Sequence, residues 1–206
     1  MLQREVPKPG TLILRDALIS STDTSDGERH VKFIASDESV DRYGDIIRAT
    51  GWQLENFRQN PVLLFGHQSR ALPVGSVDPI QVVGTQLIAD CNFLPPGATQ
   101  MADEVWACVD AGALRAVSVG FAPTGPVNQL IDQSGNWTGY EFTSQELLEL
   151  SVVPVPANPQ ALAVAKSLGI SEATQRLLFP DDERALARVA AEQRRRSLTL
   201  LRLRAG

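Results

Sequence analysis

Histidine is almost missing from this sequence: His30 and His67 are the only two. Cysteine is equally scarce, with Cys91 and Cys108 alone. Their spacing fits neither a metal site nor a disulfide scaffold. Both thiols therefore read as small buried apolar groups of a cytosolic protein. Without an HExxH or a Cys/His cluster there is no basis for a zinc site. A papain-like enzyme is disfavoured because neither cysteine sits in a plausible elbow. The absence of GxxxxGK[ST] and GxGxxG leaves nothing to cradle a phosphate or a dinucleotide. Long hydrophobic runs are missing too. Stretches such as PVLLF and LSVVPVP fall far short of the ~20 residues of a membrane span. The opening MLQREVPKPG, charged and proline-bearing with no apolar run, does not read as a secretory signal.

What is present fits an ordinary folded protein. The 206 residues are 43% hydrophobic and 21% charged, enough for one globular domain with an appendage. The formal net charge of −5 is unevenly spread. Residues 171–206 carry eight arginines against five carboxylates, so the remainder of the chain is strongly acidic. An acidic body argues against a nucleic-acid-binding protein. The composition divides the chain into a domain at 1–170 and a basic extension at 171–206.

Short Val-, Ile-, Leu- and Phe-rich segments punctuated by Gly, Pro, Asn and Asp dominate residues 11–155, as expected of strands and turns. They are TLILRDALI, HVKFIAS, PVLLFGH, VGSVDPIQVV, TQLIADCNF, AVSVGFAP and ELLELSVVPV. Their close spacing favours an antiparallel barrel or sandwich, mainly β with some helix (α+β), over a parallel α/β sheet. One helix is expected after Thr99, a good N-cap, ending at Gly112. A second is expected in NPQALAVAKSLGI, and amphipathic helices in the C-terminal tail. The stretches SSTDTSDGERH and NQLIDQSGNWTGY read as surface loops.

Four positions carry candidate chemistry. His67 closes an apolar run and precedes a polar turn, so it is held by the core yet reaches solvent, which suits a general base. His30, at the edge of a polar loop, reads as an exposed strand start. Ser118 stands alone in the apolar run LRAVSVGFAP; it is either a structural hydroxyl or a nucleophile. Gly120, two residues on, permits close backbone approach and is a candidate for oxyanion support. Glu149, in QELLELSVVPVPANP, shares a strand face with Leu147 and Ser151 in simple alternation. It is a candidate to orient a histidine, with Glu146 as competitor.

Three segments taken together resemble the tailed-phage prohead proteases. ASDESVDRYGDIIRATGWQLENFRQNPVLLFGHQSRALPVGSV is similar to that family's first half, with its VDRxGD stretch, its NPV, a strand ending in the catalytic histidine, and a P(I/V)G. LRAVSVGFAP is similar to its nucleophile strand, and LLELSVVPVPANPQALA to its E(I/V)S(L/V)V…PANPxA signature. The matches run in order over about residues 32–166. The resemblance implies His67 as general base, Ser118 as nucleophile and Glu149 as third member of a triad. It also implies a fold like that of the herpesvirus assemblins, a β-barrel surrounded by helices. The implied activity is a serine endopeptidase needing no metal or cofactor. Its substrates are the major capsid protein precursor with its scaffolding segment, and the enzyme itself, inside the assembling prohead in the host cytoplasm. A homodimer is also implied, and neither membrane nor nucleic acid enters as a partner. The alternative expectation is an inactive structural or scaffold-associated protein that has kept the fold.

Overall fold

Segments rich in β-branched and aromatic residues form the strands of the computed structural model, which describes residues 5–18, 29–41 and 43–154. In chain order these strands are β1 (Ile13–Leu18), β2 (His30–Asp37), β3 (Ile46–Ile47), β4 (Trp52–Gln53), β5 (Val62–Phe65) and β6 (Gly75–Val83). They continue with β7 (Gln86–Phe93), β8 (Ala116–Pro123), β9 (Val127–Ile131), β10 (Trp137–Phe142) and β11 (Gln145–Val153). Helix α1 spans Glu55–Gln59 and α2 spans Gln100–Asp110. The helix expected in NPQALAVAKSLGI and the tail at 171–206 lie outside the described residues, and so does most of SSTDTSDGERH.

One sheet runs in the order β1-β8-β11-β5-β6-β7-β2, with β4 added beside β11. It curls so that its two ends, β1 and β2, come against one another, making a half-barrel. The interior is filled by Phe33, Leu63, Leu87, Phe121, Leu147 and Leu150, each fully or almost fully buried. Phe121 meets Trp52 and Phe142 edge-on, with ring centroids 5.6 and 5.2 Å apart, a favoured aromatic geometry. Among the described residues no helix is long and apolar enough to cross a membrane.

The expected antiparallel barrel needs correcting in its strand pairing. β11 runs parallel to β5 and to β4, and β10 runs parallel to β3. Parallel neighbours need a long connection. The chain supplies one, because β6 to β10 and α2 all lie between β5 and β11. Among the described residues the helical cover is α2 and the short α1. α2 forms as expected: the Thr99 hydroxyl accepts the Ala102 N–H at 3.1 Å, and Gly112 ends it at φ 70°. It buries Ala102, Val105, Cys108 and Val109 along one face.

NQLIDQSGNWTGY is not a loop but most of a hairpin, β9 and β10, in a small second sheet ordered β3-β10-β9. Its strand character is hidden because β9 is largely exposed and shows no alternation of apolar and polar residues. The turn is made by Asp132, whose carboxylate accepts the N–H groups of Ser134 and Asn136, both at 2.8 Å.

The VDRYGD stretch is a structural clasp. Asp41 accepts the N–H groups of Tyr43 and Asp45 at 2.7 and 2.9 Å. Gly44 turns with φ 82°, and a Cβ there would lie 1.9 Å from the Thr138 carbonyl oxygen. The wholly buried Asp45 accepts the Tyr140 N–H at 2.9 Å and pairs with Arg15, which also pairs with Asp41 at 2.9 Å. The clasp thereby ties β1 to the small sheet.

Candidate active site

β8 and β11 pair antiparallel as the second and third strands of the half-barrel sheet. Residues opposite one another on such a pair share a face. Ser118 lies opposite Ser151, and Gly120 opposite Glu149. The intervening rungs, Leu150 with Val119 and Val152 with Val117, turn the other way into the core.

Simple alternation along β11 gives a different answer, with Leu147 and Glu149 on one face. A bulge between Leu147 and Glu149 breaks that phase. Leu147 pairs with Phe121 and is buried in the core. Leu148 is the extra, exposed residue, and Glu149 then faces the same side as Ser118 and Ser151. An inserted residue inverts the facing of everything that follows it.

His67 arrives from the other side of β11. β5 runs parallel to β11 with Leu64 beside Ser151 and Phe65 beside Val152. After Phe65 the chain leaves the ladder: the Gly66 N–H still donates to the Val152 carbonyl at 3.0 Å. Gly66 and His67 then both take left-handed backbone, at φ 59° and 62°. For a side chain larger than glycine's this costs about 1–2 kcal/mol. Such strain, held in place by its surroundings, is typical of functional positions. Here it turns the imidazole back along β11, so that Nδ1 meets Glu149 Oε1.

Around that contact the polar groups close a ring. The His67 N–H donates to Ser151 Oγ at 3.2 Å, and the Ser151 hydroxyl donates to Glu149 Oε2 at 2.9 Å. The side chains of His67 and Glu149 keep 24% and 13% of their surface exposed, so the ring touches solvent on one side. Ser118 is fully buried, and its Oγ has no hydrogen-bond partner among the described residues. An unsatisfied buried hydroxyl costs about 1–3 kcal/mol, and such groups call for an explanation.

Gly120 has a spatial role that the sequence does not reveal. A Cβ on it would stand 2.4 Å from the Glu149 side chain. Gly120→Ala is expected to push Glu149 off His67 and to lower stability by about 1–3 kcal/mol, as overpacked sites do. Urea unfolding, with the two histidine ring signals followed by NMR, measures both effects.

The other candidates stand apart. Glu146 accepts the Asn56 side-chain N–H at 2.7 Å rather than meeting His67. His30 faces Asp90 across β2 and β7, 3.5 Å away. Burial pushes the Cys108 thiol up to about 11, and pushes the fully buried Cys91 thiol higher still. Neither is a ready thiolate. Ser151 was legible as the serine of the E(I/V)S(L/V)V signature, but nothing there gave it a role, and its spacing shows no link to His67.

A family model described as caudovirus prohead serine protease matches residues 32–176. The chain is 30% identical over 170 residues to the prohead protease of Escherichia phage T5, covering 78% of this chain and 75% of that protein. It is 29% identical over 140 residues to the capsid polyprotein of Pseudomonas phage PAJU2, covering 66% of this chain but only 20% of the polyprotein. The solved structure of the bacteriophage T4 capsid assembly protease superposes with a TM-score of 0.52 at 11% identity, covering 70% of this chain and 98% of that one, a likeness of fold. On the breadth of the family match, which spans the clasp, the His67 turn and both strands of the ring, this chain belongs to the caudovirus prohead serine proteases.

Proposed function

We propose that the chain is a serine endopeptidase that trims the capsid precursor during head maturation, with Ser118 as nucleophile, His67 as general base and Glu149 as the group that orients it. The observation that carries this reading is the fully buried Ser118 hydroxyl, unpartnered among the described residues. It stands on the strand face that also bears Glu149, the carboxylate in contact with His67. With Nδ1 held by Glu149, the imidazole presents Nε2 as its free base.

The chemistry follows from these roles. Ser118 Oγ adds to a peptide carbonyl carbon while its proton passes to His67 Nε2. The C–N bond breaks as that proton is handed to the leaving amine, which leaves an ester on Ser118. Water then gives a proton to His67 and adds to the ester, and Ser118 recovers its proton as the acid departs. Main-chain N–H groups near Ser118 and Gly120 are the candidate donors to the oxyanion. Because Ser118 is fully buried, a substrate strand has to displace its cover to reach it.

The relatives named as a prohead protease, a capsid polyprotein and a capsid assembly protease support a capsid protein as substrate, cleaved within the assembling prohead. Cleavage of the chain by itself and pairing of two copies belong to the same proposal. Co-expression with the cognate capsid precursor tests it, with precursor mass read by mass spectrometry. Wild type is expected to shorten the precursor and Ser118→Ala to leave it whole. Equal shortening by both sinks the assignment of Ser118. Proheads that assemble with intact precursor in both cases favour an inactive structural protein instead.

A further inference from the structure

We propose that Ser151 is a positioning residue of this site, its hydroxyl binding the Glu149 carboxylate and the His67 main chain into one rigid unit. The inference rests on the reading of His67 and Glu149 just given, and extends it to a residue that the signature contains but to which neither it nor the spacing gives a role.

Ser151 lies within β11 with none of its surface exposed, on a strand whose neighbouring Leu150 and Val152 fill the core. A hydroxyl in that position needs partners, and it has two of opposite kind. Its proton goes to Glu149 Oε2 at 2.9 Å, and its oxygen accepts the His67 N–H at 3.2 Å. Each bond does separate work.

The first completes the carboxylate. Oε1 meets the His67 ring and Oε2 meets Ser151, so rotating the carboxylate breaks one contact or the other. Gly120 leaves the space that the Glu149 side chain fills. The second supports the turn. His67 has left the β5–β11 ladder in left-handed backbone, and its N–H finds no further carbonyl of β11. Ser151 supplies the missing acceptor, which ties the strained main chain to the same group that fixes the carboxylate. Held at both ends, the imidazole stays aimed, which is how a group one step from the chemistry governs rate.

Ser151 is also the serine directly across from Ser118, so it is a rival for the role of nucleophile. Its bonding argues against that role. The Ser151 proton is already given to Glu149, and an oxygen lone pair is taken by the His67 N–H. Ser118 Oγ is uncommitted.

The test uses the full chain with Ser151→Ala and Ser151→Thr, assayed on a peptide spanning the precursor bond that wild type cleaves. The downfield Nδ1–H proton of His67 is followed in parallel by NMR, where only two histidines contribute. Ser151→Ala is expected to lower kcat about 10- to 100-fold, the usual cost of losing a supporting hydrogen bond around a site. KM is expected to stay within about twofold, since the lost bond acts in the transition state and not in binding. The His67 proton signal should weaken or move upfield, and Ser151→Thr, which keeps the hydroxyl, should restore rate and signal. Should the alanine variant fail to fold, Ser151→Cys replaces it, keeping a similar shape with a much weaker donor. Unchanged kcat together with an unchanged signal overturns the inference, as does a rise in KM alone. A wild type that cleaves nothing, but whose His67 signal still depends on Ser151, sinks the protease reading and leaves the positioning role standing. Residual cleavage by Ser151→Ala, set against none by Ser118→Ala, separates a positioning serine from a nucleophile.

Discussion

A chain carrying both Ser118→Ala and His67→Ala is expected to cleave the capsid precursor no more slowly than one carrying Ser118→Ala alone, each falling about a millionfold below wild type in kcat. The reason is that, in the proposed mechanism, the two side chains perform one step together. The hydroxyl of Ser118 is a poor nucleophile until a base takes its proton, and His67 has nothing to accept once that hydroxyl is gone. Free energies of groups that act as a unit do not add, whereas those of independent sites do. Single-turnover rates for the two single variants and the double variant decide the matter. A double variant slower than either single one by a further large factor shows that His67 acts apart from Ser118. The triad assignment then fails even if each residue matters. Folding is the control. Ser118→Ala removes a buried hydroxyl that has no partner among the described residues, so its unfolding free energy should equal or exceed that of wild type.

Glu149→Gln carries the second largest expectation, a fall of about ten-thousandfold in kcat, the scale seen when the acid of a Ser–His–acid triad becomes its amide. The carboxylate is an acceptor at both oxygens and serves two donors, the His67 ring and the Ser151 hydroxyl. Glutamine has one acceptor and one donor. If its amide oxygen meets His67, its N–H₂ points at Ser151, which has to rotate its proton away. If it is flipped, the N–H₂ faces Nδ1 and drives the proton onto Nε2, the wrong nitrogen for a base. Either way the negative charge that steadies the imidazolium is lost. Shape is nearly preserved, so thermal stability should change little. A folded variant whose rate stays within tenfold of wild type removes Glu149 from the triad. Glu146→Gln is the internal comparison: it meets Asn56 and not the ring, so activity should hold.

Much of this was legible in the chain. Seven segments picked out by β-branched and aromatic content became strands β1, β2, β5, β6, β7, β8 and β11 within a residue or two. Local chemistry sufficed for α2 as well, since Thr99 and Gly112 act on their own neighbours. Strands whose pattern is hidden were missed: β9 is mostly exposed, β10 lacks a clean alternation of buried and exposed residues, and β3 and β4 are only two residues long. The segments that carry the family resemblance divide into two kinds. VDRYGD builds a clasp, and Gly75 of the PVG segment allows β6 to lie against β7, where a Cβ would stand 2.2 Å from the Asn92 carbonyl oxygen. The segments around His67, Ser118 and Glu149 bring the groups proposed to react.

The sequence by itself determined the mainly β character, the order of the segments, and the short list from which the site had to come. Two histidines and two serines in apolar strands leave few choices. Tertiary structure alone decided which of those groups meet. The bulge at Leu148 reverses the facing of Glu149, and the parallel pairing of β5 with β11 brings the His67 turn alongside it. The left-handed backbone at His67 then swings the ring onto the carboxylate. None of these is a property of neighbouring residues. Each depends on how strands distant in the chain register against one another, and register is set by packing the whole core, in which Leu147, Leu150 and Val152 bury themselves and leave Glu149 and Ser151 on the opposite face.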